Sequence, residues 1–119
     1  MTEGKTIEEI ISNHEARDAS LCRVFLEKNI DLTDARIIEC HFWTWSREDA
    51  AKLGEALKSR GFEILVQRPA AIAGDPDRWN VEAAVRQSIN LTMRREFIDE
   101  LVRLADSHDG LYDGWGTRV

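Results

Sequence analysis

The stretch ARIIECHFWTW, Ala35 to Trp45, decides how the rest of this chain is read. It is rich in β-branched and aromatic residues, and its apolar positions do not keep to one side. Alternation sends Ile38, Cys40 and Phe42 one way and Ile37, Glu39, His41 and Trp43 the other. A strand with apolar groups on both faces belongs in the middle of a sheet, not at its edge.

Downstream, SREDAAKLGEALKSRGF reads as a helix capped by Ser46, with Asp49 at the capping-box position. Ala50, Leu53, Ala56 and Leu57 form its apolar stripe, Lys58 and Arg60 suit its negative end, and Gly61 closes it. FEILVQR follows as a strand that Pro69 stops, and PAAIAGDPDR is a loop by composition. WNVEAAVRQSIN alternates again: Trp79, Val81, Ala83, Val85 and Ile89 share one face, interrupted by Gln87. LTMRREFIDELVRLADSHDG reads as a second amphipathic helix, capped by Thr92, striped by Met93, Phe97, Leu101, Leu104 and Ala105, and ended by Gly110. A last strand is expected over Leu111 to Thr117.

Upstream, Ile7, Ile10, Ile11, Leu21, Val24 and Phe25 recur near helical spacing, with Thr6 and Glu9 placed as a cap pair. The polar run HEARDAS weakens the middle, so one long helix or two short ones both fit, with Asp18 as the cap of the second. The division is therefore an N-terminal helical arm over 1–30 and a domain over 33–119. Within that domain the order is strand, helix, strand, strand, helix, strand. Right-handed crossovers place both helices on one sheet face, which is a ferredoxin-like α+β sandwich.

The totals agree with one folded domain. The chain has 119 residues, 43% of them apolar, enough for a core without staples. A net charge of −6 argues against a general phosphate-binding surface. Two cysteines, Cys22 and Cys40, make no disulfide framework, and no apolar run reaches the length of a membrane span. No basic stretch precedes an apolar block near the N-terminus, so a reduced, cytoplasmic protein is expected.

The C-terminal string GLYDGWGTRV is unusual, because ends seldom carry a large aromatic between two glycines. Gly114 and Gly116 let the chain kink while the Trp115 indole turns inward. Burying an indole removes about 150–250 Å² from water, roughly 4–6 kcal/mol as an upper bound. Trp115 is thus expected to latch a strand that would otherwise fray.

Tyr112, Asp113, Gly114, Trp115, Gly116 and Thr117 together resemble the end motif of the regulator of ribonuclease E activity B (RraB) family. Two other stretches are similar to that family in order and spacing: ARIIECHFWTW running into SREDAAKLGEALKSRGFEI, and REFIDELVRLADSHDG running into the motif. The resemblance covers most of residues 33–117. It implies a ferredoxin-like fold and binding in place of catalysis, with attachment to a ribonuclease whose activity it lowers. No catalytic residue is carried over. Family members of the best-known type continue into a strongly acidic tail, whereas Arg118 and Val119 alone follow Thr117 here.

Other chemistries are poorly supported. Arg60 to Val66 superficially matches an RNA-recognition signature, but it falls on the second strand and puts Ile64 where a stacking aromatic is required. An RNA-binding module of the same topology is the alternative reading. His14, His41 and His108 have no metal-ligand spacing with the cysteines, and Cys40 and His41 point to opposite faces. No nucleophile elbow, phosphate loop or zincin motif is present, so no enzyme, metal or cofactor is expected. Two helices cannot cover both sheet faces, which leaves Ile37, His41, Trp43 and Leu65 to be hidden by something else. The arm folded across them is the expected cover, with a homodimer or a protein partner as the other possibilities. His41, Trp43 and Glu39 are the candidate partner-binding residues, and acidic helix positions are expected to help steer a basic partner.

Overall fold

A computed structural model describes residues 5–118. A long helix, α1 (Ile7–Glu27), leads into β1 (Ala35–Thr44). After it come α2 (Arg47–Ser59), β2 (Glu63–Pro69), β3 (Trp79–Ser88), a single turn α3 (Ile89–Thr92), α4 (Arg95–Asp106) and β4 (Leu111–Gly116). The four strands form one antiparallel sheet in the order β2-β3-β1-β4. This is the ferredoxin-like arrangement, with β1 central as its two-sided apolar pattern requires.

The core lies on one face of that sheet. Ile38, Cys40 and Phe42 are fully buried there beside Val81 and Ala83 of β3. Ala50, Leu53 and Leu57 of α2 and Leu101 and Ala105 of α4 close over them. The Cys40 thiol is pushed up to about 12 by burial, so it is a small packing group and not a nucleophile. Ser46 caps α2 through Asp49 N–H, and Thr6 caps α1 through Glu9 N–H, at 3.0 and 3.1 Å.

The polar middle of the arm does not break it. α1 is one continuous helix, and Asp18 is a buried side chain, not a cap. The arm also lies elsewhere than expected. It packs beside α4, on the helical side of the sheet, and buries Ile11 and Phe25 in the main core. Ion pairs from Arg95 of α4 to Glu8 and Glu15 of α1 hold the two helices together. The open sheet face therefore keeps its exposure: Ile37 is 50% and Leu65 44% accessible.

The second helical stretch departs from expectation in three ways. Ser88 caps the short α3, and buried Thr92 instead accepts a 2.8 Å bond from Gln87 Nε2, so Gln87 has a partner and does not merely interrupt the stripe. Arg94 begins α4 with no side-chain cap. The buried stripe of α4 includes Ile98 and Val102, while Met93 and Phe97 are only partly buried. A helix with a neighbour on its flank as well as a sheet beneath it needs a wider apolar face. At its end, Asp109 adopts the positive φ of 52°, and Gly110 is needed for space: a Cβ there would lie 2.7 Å from the Trp43 carbonyl oxygen.

Candidate functional site

The motif residues of β4 meet the arm. Tyr112 and Trp115 stand three apart, so a regular strand would send their side chains to opposite faces. The register with β1 breaks here: Phe42 pairs with Tyr112 and His41 with Gly114, leaving Asp113 unopposed. This bulge returns Trp115 to the core face opposite Cys40. Tyr112 is 2% and Trp115 3% exposed, as expected of an inward-turned indole.

One stripe of α1 receives them. His14, Arg17 and Asp18 are spaced i, i+3, i+4 and so share a helix face. The His14 ring stacks on Tyr112 at 4.7 Å between centroids, and its Nε2 lies 2.9 Å from the Tyr112 carbonyl oxygen. Arg17 Nη1 donates to the Asp113 carbonyl at 3.2 Å. Trp115 Nε1 donates to Asp18 Oδ1 at 2.9 Å, and Phe25 stacks on the same indole at 5.9 Å. Two carbonyls beside the bulge thus have partners on the arm. Thr117 Oγ1 ties the strand's end to the Ile37 carbonyl at 2.7 Å.

The two glycines of the motif are not equivalent. Gly114 has φ of +126°, and a Cβ on it would fall 1.6 Å from Arg17 Nη1; at Gly116 a Cβ would touch nothing. Gly114→Ala is expected to lower stability by about 1–3 kcal/mol, since strained backbone adds to a displaced Arg17. Gly116→Ala is expected to stay within about 0.5 kcal/mol of wild type. Urea denaturation of both variants checks the contrast.

Asp18 and His14 respond to protons in opposite senses. Burial holds the Asp18 carboxyl above its ordinary value of 3.8, against the pull of Trp115 and Arg17, and its Oδ2 has no partner. Burial holds His14 below its ordinary 6.5, against the bond to the Tyr112 carbonyl. A raised carboxyl pKa means that the folded state binds the proton more tightly. Its contribution therefore falls as pH rises from 3.8 through the folded value. Asp18→Asn keeps an acceptor for Trp115 and removes the charge. It is expected to melt above wild type at pH 7, with the advantage shrinking toward pH 4; thermal melts across that range check it.

The predicted contact residues lie together on the open face of β1. Glu39, His41 and Trp43 are partly exposed there and stand opposite Ala84, Glu82 and Asn80 of β3. His41 Nδ1 is 3.8 Å from Glu82 Oε1, and Asn80 Nδ2 donates to Glu82 Oε2 at 3.0 Å. Gly114 and Gly116 of β4 stand opposite His41 and Glu39 in the register. Arg78, in the loop before β3, was not foreseen: its guanidinium carbon sits 4.1 Å from the Trp43 ring centroid and 5.7 Å from that of Trp45.

The acidic helix positions sit among basic neighbours. Glu48, Glu55, Asp99 and Glu100 are each within 4 Å of Lys52, Lys58, Arg103 and Arg60 respectively, all in exposed pairs, and the chain keeps its net charge of −6. In the string from Arg60 to Val66, Phe62 is 7% exposed and belongs to the core, so that string offers bases no aromatic of its own. Among the described residues no group of three or more His, Cys, Asp or Glu side chains is placed to hold a metal. No helix among them is long and apolar enough to cross a membrane.

A family model described as regulator of ribonuclease activity B matches residues 15–117. The chain belongs to the RraB family. Its match opens inside α1 and closes on the motif, so it takes in both sides of the Asp18–Trp115 bond. Two relatives, each named regulator of ribonuclease activity B, are similar to it. The one from Photobacterium profundum is 31% identical over 114 residues, spanning 92% of this chain and 83% of the relative. The one from Alteromonas mediterranea is 28% identical over 80 residues, spanning 67% of this chain and 61% of the relative. The matched stretch therefore takes in Arg17 and Asp18 of the arm as well as the sandwich.

Proposed function

We propose that this protein is a non-enzymatic regulator that lowers the activity of a ribonuclease of the E type by occupying its surface. Membership of the RraB family is the observation that carries this reading. The contact is assigned to the open sheet face around His41, Trp43 and Glu39. That face keeps a large aromatic group accessible after every helix has found its place, and Trp and Arg are the residues most often found at the energetic centre of interfaces. The buried motif residues serve the fold that presents this face, not the contact itself.

The test is a titration of the purified protein into ribonuclease E from the organism that makes it, with RNA cleavage as the readout. Inhibition that saturates near one protein per binding site is expected. Unchanged cleavage at tens of micromolar protein contradicts the proposal. Two parallel measurements separate the other uses of the face. A gel shift with RNA alone in low salt reports direct RNA binding, which is strongest there. Sedimentation of the protein alone reports a homodimer through the same face.

A further inference from the structure

The loop before β3 delivers Arg78 in a particular state. The loop is held by its own backbone: Ala70 N–H donates to the Arg78 carbonyl at 2.9 Å, Asp75 N–H to that of Ile72 at 3.1 Å, and Arg78 N–H to that of Asp75 at 3.3 Å. The guanidinium then lies against Trp43, with Trp45 near it. Its hydrogen-bonding capacity is largely unspent. The Asp75 carboxylate stands 3.7 Å from Nη1, beyond hydrogen-bond distance, and Nε is buried with no acceptor among the described residues. A guanidinium fixed against indoles has already lost its rotamer freedom, so little more is lost when its planar fork meets a planar anion.

We propose that Arg78, stacked on Trp43, is a receptor for an aspartate or glutamate carboxylate of the protein partner. The inference rests on the open face being the contact surface and names the chemistry that face selects. Fork and carboxylate match in a two-bond geometry that a lysine cannot reproduce. Charge and shape set the occupant: the guanidinium is exposed enough to be reached, with 27% of its side chain accessible, and Asp75 pairs with it at 3.7 Å without a hydrogen bond, which leaves the fork open to a partner's carboxylate. Stacking on Trp43 adds a specificity element, because the ring keeps the fork's plane in place while its edge receives the ligand.

The experiment is nuclear magnetic resonance on the full chain, following the Arg78 Nε–H and the Trp43 and Trp45 indole N–H signals. The probe is a blocked tetraglutamate peptide, with inorganic phosphate and a twelve-nucleotide RNA as separate arms. Saturable shifts with the peptide are expected, absent in Arg78→Ala and at least tenfold weaker in Arg78→Lys, with amide spectra showing both variants folded. No shift with the peptide, or equal binding by Arg78→Lys, overturns the proposal. Shifts with phosphate or RNA at lower concentration than with the peptide overturn it in favour of a nucleic-acid contact. Ribonuclease titration keeps the two readings apart. Peptide binding without ribonuclease inhibition leaves the receptor standing and removes the assigned function. Inhibition that Arg78→Ala leaves intact does the reverse.

Discussion

Trp115→Ala is expected to lower the stability of this protein by about 3–5 kcal/mol, the range for deleting a buried aromatic side chain. Two losses combine. The indole is 3% exposed and packs on Phe25, so its removal opens a cavity beneath α1. It also strips Asp18 of its hydrogen bond, leaving a buried carboxylate whose second oxygen already lacks one. Domains of this size carry about 5–15 kcal/mol in all, so the variant is expected to melt on the order of 10–20 °C lower. Trp115→Phe retains most of the packing but not the N–H donor, and is expected to lose about 1–3 kcal/mol. Calorimetry on both separates the cavity from the lost bond. A Trp115→Ala variant melting with wild type contradicts the burial and the bond together.

Trp43→Ala is expected to weaken ribonuclease inhibition by about thirtyfold or more, corresponding to about 2 kcal/mol or more at an interface anchor. Its effect on folding is expected to be small. The ring is partly exposed, and the stack with Arg78 is worth about 0.5–1 kcal/mol at such a site. Glu39→Ala provides the comparison on the same face of β1, opposite Ala84 and Gly116, where a partly exposed charge mainly changes the encounter rate and its salt dependence. A loss of less than about fivefold is expected there. Inhibition constants measured beside melting temperatures distinguish a lost contact from a lost fold. Equal inhibition by wild type and Trp43→Ala would remove the open face from the account.

The sandwich was legible in the sequence because its signals are local. The two-sided strand from Ala35, the cap pairs at Thr6 and Ser46 and the stop at Pro69 each depend on residues within one element. Burial of Trp115 was legible from its flanking glycines and its size. Its hydrogen-bond partner was not, because Asp18 lies 97 residues away and sits in a polar run that reads as a weakness in a helix. The same holds for His14 and Arg17, whose partners are backbone carbonyls that carry no side-chain signature. Amphipathicity showed that the arm hides one face but not what it hides that face against. The bulge at Asp113 is equally silent in sequence, since it exists only in the register between β1 and β4. Arg78 was missed for a similar reason: a loop residue declares no direction until the loop is folded.

The most direct measurement is hydrogen exchange at the four tryptophan indole N–H groups of the ¹⁵N-labelled protein. Trp43 and Trp45 serve as partly exposed references within the same molecule. If the arm's Asp18 and the bulged final strand enclose Trp115, its indole proton exchanges only on global unfolding, many orders of magnitude more slowly than those references. Exchange of Trp115 as fast as Trp43 would mean that the arm does not hold the strand, and the account of this fold and of the face it presents would fail.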